Sequence, residues 1–338
     1  MTNDHHNELR HDPLSGRWVT IAAGRAARPA SFGHPGGEPE RRGPLGCPFC
    51  AGQEHQTPPE VWTDRPPGGA HDSPGWMVRV VPNKFAAFGP PSLLPVAPVE
   101  ADAERAAADG AHEVVVHGPE HLVSLTELDQ DVLVRVAEAW RRRLAYWRRP
   151  EFGLGAVTVI VNEGREAGAS LEHSHSQVFA TVLRPALVQA EVARLGGADC
   201  AACDLVTAER KQGDRVVADA GGLLTVCPWA SAMPLELLLV PDRHLARFEA
   251  GDDREIAVAA LAEGLAGAIG RLGAVVGRVP AWNAVLHSAP PGVTDFHWHL
   301  HVYPRLATLG GFELGTGVLI NVIDPDHAAE RLRAARTS

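Results

Sequence analysis

A chain of 338 residues with 45% hydrophobic and 21% charged side chains has the composition of a globular protein with room for two ordinary domains. Its net charge of −10 argues against nucleic acid as the main partner, since phosphate backbones select basic faces; a small anion needs only a local group of Arg and His. The opening MTNDHHNELRHD is polar, unlike a signal peptide, and no apolar run reaches bilayer length, so the cytoplasm is the expected compartment.

In chain order, the first motif is Cys47-Pro-Phe-Cys50. Residues 76–81 form an apolar run of strand character closed by Pro82-Asn83, and 113–117 predict a second strand that ends at Gly118-Pro-Glu-His121. Over 127–149 apolar residues recur at helical spacing (Leu128, Val132, Val136, Trp140, Leu144), and Pro150 stops that helix. Residues 156–162 and 173–181 read as strands. The second half repeats the plan: Cys200-Ala-Ala-Cys203, strands at 223–226 and 235–240, His244 after Pro241, a helix over 256–276, and strands at 281–287 and 297–303. Nearly equal spacings separate His121 from His173 and His244 from His297. Such repetition predicts an internal duplication, with halves at 1–190 and 191–338. The expected fold is α+β, an antiparallel sheet with helices on one face.

Two C-x₂-C pairs in a chain of this kind suggest metal knuckles rather than disulfides, and Cys227, in an apolar run, reads as core. Each half supplies two thiolates and two imidazoles: Cys47, Cys50, His121 and His173, then Cys200, Cys203, His244 and His297. Closed Cys₂His₂ coordination describes structural zinc, two ions per chain. The second set has a competitor in Glu191, His287, His299 and His301, whose O and N donors suit iron or zinc. The richest stretch is Gly168-Ala169-Ser170, followed by His173-Ser-His175-Ser-Gln177. Histidines one residue apart on a strand point the same way, so one can be held by metal while the other meets a substrate. The glycine turn upstream can aim backbone N–H groups at an anion. That arrangement suits a histidine that attacks phosphorus.

These residues resemble the galactose-1-phosphate uridylyltransferase family of the histidine-triad superfamily, and most closely its ADP-glucose phosphorylase-like branch. The resemblance runs from Arg10-His-Asp-Pro-Leu-Ser-Gly-Arg-Trp-Val19 through Gly24-Arg25-Ala-Ala-Arg28-Pro29, the first Cys pair, Thr57-Pro-Pro-Glu60 and Val81-Pro-Asn83-Lys84-Phe85. It continues through Gly118-Pro-Glu-His121, Asn162-Glu-Gly-Arg, the His173–Gln177 stretch and Gly310-Gly-Phe-Glu-Leu-Gly-Thr-Gly317. It implies a duplicated histidine-triad-like fold and a homodimer. His175 would be the nucleophile that forms a nucleotidyl-histidine, steadied by Gln177. Ser170, Gly168 and Ala169 would line the phosphate pocket, and Arg25 and Arg28 would clamp the diphosphate. Asn83 and Asn162 would contact the nucleotide, and Phe312 would lie at the substrate. The implied reaction moves a nucleoside monophosphate from a UDP- or ADP-hexose to a hexose 1-phosphate or to inorganic phosphate.

Two departures stand out. Galactose-type transferases carry a Lys-Phe and a Tyr-Glu after the last His-rich strand, and at 310–317 the Lys, Tyr and Glu are missing from those places. The second half also carries a complete His297-x-His299-x-His301, of which only the first histidine is expected in the phosphorylase-like branch. Competing readings are a dinucleoside polyphosphate hydrolase or phosphorylase of the same superfamily, and a zinc-stabilised nucleotide-binding protein without catalysis.

Overall fold

The computed structural model describes residues 7–22, 43–90, 97–98, 104–105, 108–250 and 258–335. In chain order it contains β1 (Glu8–His11), β2 (Trp18–Ile21), β3 (Trp62–Asp64), β4 (Val78–Pro82), the short pair β5 (Ala97–Pro98) and β6 (Glu104–Arg105), and β7 (Gly110–Val116). Helix α1 (Gln130–Trp147), β8 (Ala156–Glu163), β9 (His175–Thr181), α2 (Ala186–Val192) and α3 (Ala201–Gln212) follow. The remainder is β10 (Val216–Ala220), β11 (Leu223–Val226), β12 (Leu237–Pro241), α4 (Val258–Val276), β13 (Trp282–His287), β14 (His299–Pro304), α5 (Gly311–Thr316), β15 (Leu319–Asn321) and α6 (Pro325–Ala334).

Ten strands make one sheet in the order β10-β11-β12-β14-β13-β8-β9-β7-β4-β3. Every pairing within it is antiparallel. Outward from the β8/β13 seam, each half lays down its fourth, fifth, third, second and first strand. The duplication expected from the sequence is therefore a property of the topology. The expectation of helices on one face holds for α1 and α4 but not for α3, and none of α2, α3, α5 and α6 is among the helices expected from the sequence. Helices α1 and α4 pack together and bury Val136, Trp140, Leu265, Ile269 and Leu272 against one face of the sheet. Helix α3 covers the opposite face over β11 and β12, joining Leu205 and Val206 to Leu224, Val226, Leu238 and Val240. Although α4 is long and apolar enough to span a bilayer, with mean hydropathy 1.4, its apolar stripe is spent on this core.

The alternation of β9 decides what it presents. Val178 and Ala180 join the core shared with α1, while Gln177 stays half-buried on the other face, paired across the ladder with Val114 and Ile160. Ser174 and Ser176 face inward with polar groups and are matched there. His117, fully buried, lies 3.0 Å through Nδ1 from Ser174 Oγ and 2.8 Å through Nε2 from Ser176 Oγ. Trp140 Nε1 donates to the same Ser176 Oγ at 2.7 Å. This satisfied network fixes the strand on both sides of His175. A second, three-stranded sheet joins the two chain regions farthest apart: β15 runs parallel to β2, which pairs with β1.

Candidate active site

The first Cys₂His₂ set forms as the spacing predicts. Cys47 and Cys50 Sγ each lie 3.7 Å from His173 Nδ1, and Cys50 Sγ lies 3.4 Å from His121 Nδ1. A tetrahedral ion with bonds of about 2.3 Å to sulfur and about 2.0 Å to nitrogen requires S···N edges near these values. His173 Nε2 donates to the Gly118 carbonyl at 3.0 Å, which leaves Nδ1 as the ligand atom. Burial and the neighbouring Cys47 push the Cys50 thiol up to about 11, so the pair needs a cation before both sulfurs ionise.

The second set forms separately. Cys200 Sγ and Cys203 Sγ lie 3.6 and 3.5 Å from His297 Nδ1, and Cys203 Sγ lies 3.3 Å from His244 Nδ1. Pro241 O and Asp295 Oδ1 hold the outer nitrogens of His297 and His244 at 2.9 and 2.7 Å. Glu191, His287 and His299 make a third group capable of holding an ion, so the two alternatives read from the sequence coexist rather than compete. His301 is not in that group; it pairs with Glu236 at 3.1 Å. His287 Nδ1 bonds Glu191 Oε2 at 2.8 Å, and the buried His299 Nε2, with no hydrogen-bond partner among the described residues, faces Glu191 Oε1 across 4.0 Å. That gap is about twice a metal–ligand bond of roughly 2.0–2.2 Å. Burial works to raise the Glu191 carboxyl, but the three facing histidines outweigh it and hold it down to about 2.

His175 sits beside the first set. Its Nδ1–H donates to the His173 carbonyl at 2.7 Å, so the neutral ring keeps its lone pair on Nε2. Burial lowers its pKa below the ordinary value, favouring that neutral form. The ring is 8% exposed and lies 5.3 Å from Phe49, the aromatic residue inside the first Cys knuckle, which also meets His173 edge-on. One loop thus packs on both the metal-type histidine and its free neighbour.

The remaining expected residues are placed unevenly. Gln177 and Asn162 lie on β9 and β8, on the same face of the sheet. Asn283, on β13 and not singled out from sequence, donates to Asn162 Oδ1 at 2.8 Å and fixes that amide. Asn83 lies just after β4, its Oδ1 accepting from Phe85 N at 2.8 Å. Gly164 and Gly168, both with φ near +90° (88° and 87°), make the tight turn before Ser170, which is exposed. The turn differs from expectation in one respect: the Gly168 and Ala169 N–H groups are committed within it, to Arg165 O at 2.9 Å and Gly164 O at 3.1 Å. Neither amide is left to face an anion. Phe312 lies exposed on α5, which precedes β15 of the small sheet along the chain. Arg25 and Arg28 lie outside the described residues.

A sheet built twice over, with a histidine-rich strand in each half beside a Cys₂His₂ cluster, defines a duplicated histidine-triad protein. Comparison with known proteins narrows the class. The model of the galactose-1-phosphate uridyl transferase N-terminal domain matches residues 83–185. Across 340 residues the chain is 30% identical to the ADP-glucose phosphorylase of Arabidopsis thaliana, covering 96% of this chain and 92% of that one. It is 24% identical over 348 residues to the galactose-1-phosphate uridylyltransferase of Thermotoga maritima, covering 96% and 98%. The crystal structure of an Arabidopsis thaliana ADP-glucose phosphorylase with bound ADP-glucose aligns with a TM-score of 0.78 at 25% identity, over 99% of this chain and all (100%) of that one. A uridylyltransferase structure aligns at 0.71 with 25% identity, over 97% and 98%. The chain belongs to the galactose-1-phosphate uridylyltransferase family.

Proposed function

We propose that the protein is a nucleotidyltransferase that moves a nucleoside monophosphate from a nucleoside-diphosphate hexose to inorganic phosphate or a hexose 1-phosphate, with His175 as nucleophile. The observation that carries this reading is the state of His175: Nδ1 tied to a carbonyl, Nε2 with its lone pair, on a braced strand. Nε2 attacks the α-phosphorus, and the N–P bond forms as the bond to the departing hexose 1-phosphate oxygen breaks. In the second displacement an acceptor phosphate oxygen attacks the same phosphorus, and the electron pair returns to Nε2. A neutral imidazole avoids the repulsion of one phosphate attacking another, and two steps reuse one site. Gln177 and Asn162 supply fixed donors for charge that builds on the non-bridging oxygens. The two named relatives, one a phosphorylase acting on ADP-glucose and the other a galactose-1-phosphate uridylyltransferase, support both donor and acceptor classes.

Zinc at each Cys₂His₂ set belongs to the same proposal, with iron or zinc at Glu191, His287 and His299. Bound at the first set, zinc supplies closed structural coordination that orients His173. Repeats spanning 1–190 and 191–338, Ser170, Asn83, Phe312, Arg25 and Arg28 as substrate contacts, with Gly168 and Ala169 shaping the pocket wall rather than donating their N–H groups, a homodimer and a cytoplasmic location complete the reading. The last is supported by cysteines that are all unbridged. The test is incubation with ADP-glucose or UDP-glucose radiolabelled at the α-phosphate. An acid-labile label on histidine, discharged by phosphate, is expected; no label with either donor would sink the proposal. Discharge at one rate with and without phosphate would move the protein to the hydrolases.

A further inference from the structure

We propose that His112 is a positioning residue that determines which end of the Gln177 carboxamide faces the substrate. The inference deepens the reading above and rests on it. His112 belongs to β7 and lies diagonally across the ladder from Gln177, on the same face of the sheet. The main-chain N–H of Ala87 donates to His112 Nδ1 at 3.2 Å, so that nitrogen holds a lone pair. Burial lowers the pKa of the ring and keeps it neutral. A neutral imidazole with an acceptor at Nδ1 carries its hydrogen on Nε2. Nε2 lies 2.6 Å from Gln177 Oε1 and therefore donates to it.

The consequence falls on Gln177. Its terminal torsion is broad and roughly two-fold, so a free carboxamide presents oxygen or nitrogen to a ligand at similar cost. An oxygen aimed at a phosphoryl oxygen repels it; an NH₂ group stabilises it. With Oε1 occupied by His112, the NH₂ end is the one turned away from β7. The His112 ring is itself held flat by stacking on Phe179, with centroids 4.0 Å apart and planes 26° apart. Asn83 Nδ2 lies 3.0 Å from the same Nε2. Asn83 Oδ1 is taken by the Phe85 N–H, so two donors meet there and the contact carries no hydrogen bond.

The other half places a different pair in the same arrangement. His301, which matches Gln177 along its strand, is held by Glu236 from the adjoining segment before β12. Adjacent-strand control of this position is thus present on both sides of the seam.

The experiment is a double-mutant cycle between His112→Phe and Gln177→Ala, read as the single-turnover rate of histidine labelling by α-phosphate-labelled ADP-glucose. His112→Phe keeps the stack and loses the donor. The expected result is a 10- to 100-fold slower labelling step with an unchanged KM for ADP-glucose and an unchanged unfolding midpoint. His112→Gln, which restores an N–H, should recover most of the rate. In the Gln177→Ala background, His112→Phe should have less than a twofold further effect. Multiplying effects of the two substitutions would overturn the proposal, as would a change confined to KM. If His112→Phe fails to fold, His112→Ala takes its place in the cycle with the same criteria, and His112→Gln remains the rescue. Absence of labelling in the wild-type protein would overturn the reading of function itself, a result separate from any outcome of the cycle.

Discussion

The two halves present the same backbone device to different ends. In each, a metal-type histidine is followed two residues later by a histidine whose Nδ1–H is tied to the preceding histidine's carbonyl, at 2.7 Å for His175 and 3.0 Å for His299. What differs is the cover. His175 has Phe49 at its side and keeps 8% of its surface accessible, whereas His299 is fully buried (0%), with Phe296 and Glu191 against it. Helix α2, which supplies Glu191, follows β9 and closes over the second half. Strand geometry makes a histidine available, and the groups laid over it decide whether it meets a ligand from solution or a carboxylate from its own chain.

The largest expected effect separates the halves. Under the proposed function His175→Ala should slow nucleotidyl transfer by at least about 10⁴-fold, the scale of losing a nucleophile, with fold and metal content intact. His299→Ala should lower metal content and leave transfer within about tenfold of wild type, since its ring faces Glu191 and not solvent. Equal losses of activity from both substitutions would break the comparison. A smaller effect distinguishes neighbours on one strand. His173→Ala should lose metal from the first set, drop the unfolding midpoint by roughly 5 °C or more, and cost about 10- to 100-fold in activity through the misplaced His175. His297→Ala should match it in metal and midpoint but not in activity. Metal analysis with calorimetry checks both, and indistinguishable His173→Ala and His175→Ala proteins would sink the argument from strand alternation.

Most of the sheet was readable from the sequence because its strands are apolar runs bounded by Pro and Gly, and because the same order of motifs occurs twice. The Cys₂His₂ sets were readable from spacing. The small sheet was not, since pairing β2 with β15 joins segments whose short strands carry no mark of their partner. Helix α5 was also missed. A segment with four glycines in eight residues reads as loop, and what stabilises the helix is Glu313, whose side chain accepts from Gly310 N at 2.9 Å. His112, Asn283 and Glu236 escaped notice because each acts on a site residue from a neighbouring strand. Register, not motif, brings them there.

The smallest effect concerns the acceptor, and the structure of 310–317 sharpens it. That segment carries no Lys, Arg or Tyr, and its one carboxylate, Glu313, is spent on capping its own helix. Phe312 and Leu314 are its exposed apolar side chains, 53% and 74% accessible, and apolar surface cannot tell an axial from an equatorial hydroxyl. The hydroxyl of the exposed Thr316 is taken up locally, donating to Phe312 O and accepting from Val318 N. Discrimination between sugar epimers needs groups whose hydrogen bonds are lost with the wrong isomer, and none is supplied here. The preference for galactose 1-phosphate over glucose 1-phosphate should therefore stay below about tenfold in kcat/KM, or roughly 1.4 kcal/mol, with inorganic phosphate at least as good as either. The measurement is a comparison of the three acceptors with one donor. A hundredfold preference for galactose 1-phosphate would require a grip from residues outside α5, and would place the acceptor specificity of this chain with the galactose-type transferases.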